Sequence, residues 1–312
     1  MPSSPSRRLA ALLTGASLAL LAGCGNSSDS GSDGSSAQEP VASSKITVVA
    51  STNVYGDIVE QIGGAKVAVT SLISDPDQDP HSYEADTRNQ LTLSKAKVVI
   101  ENGGGYDDFV DRMLKSSNSS AEVINAVKVS GKTAPKGGEL NEHVWYDFPT
   151  VAKVADRMAA ALGKADPADA ATFTKNATAF KAKLQPLEAK EAAIKKEHGG
   201  EGVAITEPVP LYMLDAAGLV NRTPAEFSEA IEEGDDVSPR ILQATLAVFG
   251  AKEVKALVYN EQTSGPQTEK AKAAAKAAGV PVVPVTETLP EGKDYLGWMT
   301  ANVDALASAL AK

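Results

Sequence analysis

Strand-type runs alternate with helical periodicity twice along this chain, and one long helical segment separates the two alternating stretches. In the first stretch, Lys45–Ser51, Lys66–Ile73, Ala96–Glu101 and Ala121–Asn125 read as strands, with helices between them. In the second, Gly202–Thr206, Gly218–Asn221, Lys255–Tyr259 and Val280–Val285 repeat the arrangement. Such alternation feeds each strand through a helical crossover and therefore predicts parallel sheets. The predicted fold class is α/β: two parallel-sheet lobes, residues 45–165 and 200–312, joined by a linking helix within 166–199. That helix is rich in Ala, Lys and Glu, with Pro186 inside it as an expected kink and His198-Gly199-Gly200 at its end.

Residues 1–23 do not belong to this pattern. Arg7 and Arg8 precede a short apolar run, Leu9 to Leu21, which is too short for an ordinary membrane span and reads as an export signal. It ends in Leu21-Ala22-Gly23-Cys24, which resembles a lipobox, the site at which a leader is cut and the Cys acylated. Cys24 is the only cysteine of the chain, so an internal disulfide framework and a Cys-rich metal site are both excluded. Residues 24–44 are dominated by Ser and Gly and read as a flexible tether. The globular body is thus expected outside the cytoplasmic membrane, held close to it by a lipid on Cys24.

With 40 acidic against 30 basic side chains, the formal net charge of −10 disfavours nucleic acid as a partner. In open α/β sheets ligands sit beyond the carboxyl ends of strands, so polar residues just after strands are the site candidates. His81 and His143 follow strands of the first lobe, and Glu207, Glu261 and Glu287 follow strands of the second. Two imidazoles with two carboxylates suit a divalent transition cation and balance its charge. Simpler roles exist for each: a solvated loop histidine, a helix cap at Glu207 or a surface acid at Glu287. His198 fits a helix-dipole contact better than a metal. The acidic run Glu229–Asp236 reads as a solvated turn, and its spacing does not match a calcium loop.

Three segments carry a family resemblance: VVASTNVYGD at 48–57, DPHSYE at 79–84 and NEHVWYD at 141–147, with Val285–Thr288 and Tyr295 further on. Across residues 45–312 the chain resembles the metal-binding, substrate-binding lipoproteins of ABC importers for zinc and manganese, which have the TroA-like fold. The resemblance implies two lobes bridged by a rigid helix that open only slightly, and a monomer that hands Mn²⁺ or Zn²⁺ to a permease and its ATPase. It implies metal ligands at His81, His143 and Glu207, where zinc-type members carry His and manganese-type members Glu. Glu287 stands where the family usually has Asp, with Glu261 in reserve as fourth ligand. The His-rich loop of many zinc-type members has no counterpart, because Ser130–Glu142 contains no His. The sequence carries neither an HExxH nor a GxSxG pattern, so an extracellular metallohydrolase is the weaker reading and the chain is expected not to be an enzyme. A surface adhesin on the same fold is a third reading.

Overall fold

The computed structural model describes residues 45–75, 81, 83–117 and 119–312. The leader, Cys24, the tether, and Asp79, Pro80 and Ser82 of the loop motif lie outside them. The first lobe contains β1 (Ile46–Thr52), α1 (Asn53–Gly63), β2 (Val67–Ile73), α2 (Thr87–Ser94), β3 (Val98–Glu101), α3 (Asp108–Ser117), β4 (Glu122–Asn125), α4 (Ala126–Ser130) and α5 (Phe148–Ala165). The linking helix is α6 (Ala170–His198). The second lobe contains β5 (Gly202–Ile205), α7 (Leu211–Ala216), β6 (Val220–Asn221), α8 (Ala225–Glu232), α9 (Pro239–Gly250), β7 (Leu257–Asn260), α10 (Pro266–Ala277), β8 (Val282–Val285) and α11 (Tyr295–Leu310).

Both sheets are parallel throughout, and both have one order: β2-β1-β3-β4 in the first lobe and β6-β5-β7-β8 in the second. In each sheet the chain reverses its direction of progress beside the first strand, between β1 and β3 and between β5 and β7. These are the topological switch points where loops diverge and leave a crevice. The inner strands β1, β3, β5 and β7 are buried on both faces, so they read as nearly continuous apolar runs such as VVIE of β3.

Helix α6 joins the lobes through one seam. Phe173, Ala177, Phe180, Leu184, Leu187, Glu191 and Ile194 are its buried residues, alternately four and three apart. The helix runs on through Pro186, and Lys195, Lys196 and His198 occupy its last turn, where cations complement the dipole. One apolar core contains Ile46, Val48 and Ile58 of the first lobe, Phe180 and Leu184 of α6, and Val203 and Val258 of the second lobe. Local signals agree with the observed helix starts. Asp147 caps α5 by accepting from the Thr150 amide at 3.0 Å, and Ser238 with Pro239 opens α9.

One helix departs from the sequence reading. The first part of the acidic run is not a turn: Glu229–Glu232 form the second half of α8. Phe227 at 0% exposure and Ser228 at 3% anchor that helix inward, and the helical repeat places Glu232 one turn beyond Ser228 on the same face. No helix among the described residues is long and apolar enough to cross a membrane.

Candidate metal centre

The two histidines of the first lobe meet. Their ring centroids lie 6.0 Å apart, against a wall of aromatic rings. Tyr106 packs edge-on to His81 at 5.0 Å, and Trp145 lies 5.1 Å from His143. His143 is fully buried and its orientation is set by Asn141. The Asn141 Oδ1 accepts from the His143 backbone amide at 3.0 Å and stands 2.8 Å from Nδ1. A carboxamide oxygen can only accept, so Nδ1 carries a proton and Nε2 is directed into the cleft. Asn141 also donates through Nδ2 to the Pro208 carbonyl at 3.1 Å, tying this loop to the opposite lobe.

The second lobe answers with carboxylates. Glu287 Oε2 lies 3.6 Å from His81 Nε2 and 3.8 Å from His143 Nε2. Glu287 is 1% exposed and so is not a surface acid. Its backbone amide donates to the Gln262 side chain, which fixes the turn after β8. Glu207, two residues beyond β5, is 2% exposed. It does not cap a helix, because α7 starts only at Leu211 behind Pro210. Instead the Asn260 carboxamide donates to Glu207 Oε2 and, at 2.8 Å, to Glu287 Oε1, bracketing the two carboxylates side by side.

Asn260 explains where Glu261 goes. Val258 packs into the core shared with α6, whereas Leu257 and Tyr259 pack into the core on the other face of the sheet. The twofold repeat of the strand therefore aims Asn260 at the cleft and Glu261 away from it. Glu261 is exposed and lines a separate hollow with Pro284, Pro290 and Trp298. The reserve position is not brought to the histidines. His198 is not brought there either, and it meets Glu201 across 3.2 Å at the end of α6.

The structure adds a residue that the sequence reading missed. Glu232, the last residue of α8, places Oε1 3.7 Å from His143 Nε2. One ligand atom each from His81, His143 and Glu232 lies within 4.8 Å of the other two. A cleft of about 540 Å³ leads to this cluster, and Glu139, Glu142, Glu229 and Glu233 stand on its walls. Only the inward face of α8 signals Glu232, and that face is legible once the helix is known.

The ionisable groups of the cleft are strongly coupled to one another. Burial disfavours the charged imidazole of His143, but Glu287 beside it, with Glu142 and Glu232, outweighs burial and pushes its pKa up to about 9. Burial and the nearby Glu287 charge push Glu207 up to about 7. Burial pushes Glu232 up to about 8 against the pull of His143. Burial also acts upward on Glu287, and the His143 contact reverses it, so this carboxyl lies below the ordinary value. The raised His143 and the lowered Glu287 are the two sides of one buried contact between opposite charges.

A profile of the family described as "ZnuA: Zinc-uptake complex component A periplasmic" matches residues 48–309. The chain belongs to this family. It is 25% identical over 290 residues to the manganese ABC transporter substrate-binding lipoprotein scaA of Streptococcus gordonii, covering 86% of this chain and 90% of that one. It is 33% identical over 172 residues to the manganese-binding lipoprotein MntA of Bacillus subtilis, covering 54% and 53% of the two. In structure it is similar to the periplasmic zinc-binding protein TroA of Treponema pallidum, with a TM-score of 0.74 and 20% identity over 86% of this chain and all of that one. The two-lobed fold expected from the resemblance is therefore the fold of known solute-binding proteins.

Proposed function

We propose that this chain is the extracytoplasmic solute-binding lipoprotein of an ABC importer. It takes a divalent transition-metal cation as cargo at His81, His143, Glu207 and Glu287 and hands it to the permease, which its ATPase drives. One observation carries this reading: His143 Nε2 and Glu287 Oε2, buried with no hydrogen-bond partner, lie 3.8 Å apart beside His81, and Glu207, whose Oε1 is likewise unpartnered, is held next to Glu287 by Asn260. Leaving a buried polar atom unpaired costs about 1 to 3 kcal/mol, and more when it is charged. Several such atoms gathered in one cleft call for a positive charge among them, a role that a divalent cation fills. Two atoms each about 2.1 Å from a common ion stand roughly 3 to 4 Å apart, depending on the coordination angle. The 3.6 Å and 3.8 Å separations between imidazole nitrogens and Glu287 fit that range.

Capture is favoured over hydrolysis. A hydrolytic metal site keeps one position open for water and supplies a general base, whereas here the surplus of ligand-type groups competes to surround the ion. The names of the relatives support a metal cargo and an importer partner. An oxygen-rich donor set favours manganese relative to a His-rich tetrahedral site, although zinc is intrinsically held more tightly by protein ligands. In this reading the protein is a monomer anchored by acylated Cys24. Competitive titration of the purified protein with Mn²⁺ and Zn²⁺ tests it, with Glu207→His alongside. One ion of either metal should bind, and Glu207→His should move the preference toward zinc. A wild-type protein that binds neither ion would sink the proposal.

A further inference from the structure

The geometry points to Glu232 as a direct ligand of the captured cation, a third carboxylate beyond Glu207 and Glu287. This inference rests on the reading of the cleft as a metal site and names a residue that reading does not require. Four observations carry it. Glu232 Oε1 lies 3.7 Å from His143 Nε2, the same spacing that Glu287 keeps from the imidazoles. A single ion can therefore bridge the Glu232 carboxylate and His143 without either moving far. Its Oε1 is buried and has no hydrogen-bond partner, as have the metal-facing atoms of Glu207 and Glu287. The side chain is only 11% exposed, although it sits at the mouth of an acidic cleft.

The fourth observation is the helix itself. Glu232 is the C-terminal residue of α8, where the helix dipole disfavours an anion. A buried carboxylate at that end costs stability unless a positive charge faces it. Among the described residues no lysine or arginine pairs with it, and the group within ion-pair reach is His143. A cation held by His143 Nε2 would lie within reach of Glu232 Oε1 as well and would supply that charge. Glu232 thus reaches the cleft from a helix, whereas Glu207 and Glu287 follow strands. A third carboxylate oxygen raises the coordination number the site can reach, which suits cations that accept six or more oxygen and nitrogen ligands.

Co²⁺ is the probe, because its visible absorption reports coordination number. Wild-type protein and Glu232→Gln are titrated with CoCl₂, with ion-free melting temperatures measured in parallel. Glutamine keeps the shape of the side chain, so the ion-free variant should stay folded with a melting temperature close to that of the wild type. Binding of one Co²⁺ should weaken roughly tenfold or more, and the visible band should intensify as the coordination number falls. A Glu232→Gln protein with wild-type affinity and an unchanged band overturns the assignment while leaving the capture reading intact. Loss of Co²⁺, Mn²⁺ and Zn²⁺ binding by the wild type overturns both.

Discussion

At the scale of single residues, two carboxamides, Asn141 and Asn260, hold the side chains of the cleft in place. Asn141 fixes the tautomer of His143 through contacts of 2.8 and 3.0 Å. Asn141→Ala should leave Nε2 free to rotate or exchange its proton, and metal affinity should fall by about 10- to 100-fold, the usual cost of losing a group that orients a ligand. Isothermal titration checks this, and an unchanged dissociation constant would remove Asn141 from the argument. Protonation offers a second test. With His143 at about 9, Glu232 at about 8 and Glu207 at about 7, the ion-free cleft at neutral pH holds protons that a cation must expel. Binding should release about two protons per ion at pH 7. Affinity should therefore climb as pH rises and level off once pH passes about 9, where His143 has already lost its proton. Binding heats measured in buffers of different ionisation enthalpy give the count directly, and buffer-independent heats would contradict it.

At the scale of elements, α6 holds one charged side chain within an apolar seam. Glu191 is 4% exposed, its Oε1 has no partner, and burial, with Asp147 and Glu188 adding to it, pushes its pKa up to about 8. The folded state therefore binds a proton that the unfolded chain has already released above its ordinary value of 4.5. Stability from this residue is fully present below that value, declines as pH rises from there to about 8, and is flat beyond. Glu191→Gln should flatten this slope and raise stability above pH 8 by about 1 to 3 kcal/mol, the cost of an unsatisfied buried group. Denaturant unfolding of the ion-free protein at several pH values reads it. The loop after β3 shows a related economy. Asp107 accepts from the amides of Asn102 at 2.6 Å and Gly103 at 2.7 Å, in a turn where Gly103 has φ of +77° and a Cβ would collide with Asn125. Gly103→Ala should cost at least about 1 kcal/mol from the left-handed backbone alone, and should disturb Tyr106 behind the histidines.

At the scale of the molecule, the lobes are bound to each other by more than α6. Asn53 exchanges two hydrogen bonds with the Leu289 backbone, at 3.0 and 2.9 Å. The Tyr146 hydroxyl donates to the Thr286 carbonyl at 2.7 Å, Tyr295 to that of Trp145 at 2.6 Å, and Tyr212 to that of Asn141 at 2.6 Å. These bonds cross between the lobes, and each contributes roughly 1 kcal/mol net. Wide hinge opening would break them together. Ion-free and Mn²⁺-loaded protein should consequently give superimposable small-angle scattering curves, with change confined to the loops around the ligands. A clear contraction on loading would show instead that the lobes swing as separate bodies.

What the sequence by itself determined is whatever local pattern controls. The double strand-helix alternation, the long helix, the Ser238-Pro239 helix start and the place of His81 after a strand all follow from periodicity and capping within a few residues, whereas α4 separates His143 from the strand before it. Contact across the chain decided the rest. Whether Asn260 or Glu261 enters the cleft depends on which face of a four-residue strand meets the shared core, and an apolar run buried on both faces carries no alternation to reveal it. The acidic run at Glu229–Asp236 has the composition of a solvated turn, and only the inward packing of Phe227 and Ser228 shows that Glu232 turns toward His143. Asn141 and Asn260 carry no signal of their own, because a carboxamide has no charge or period. Their roles come from the partners that tertiary packing brings within hydrogen-bond reach, 67 residues away in one case and 53 and 27 in the other.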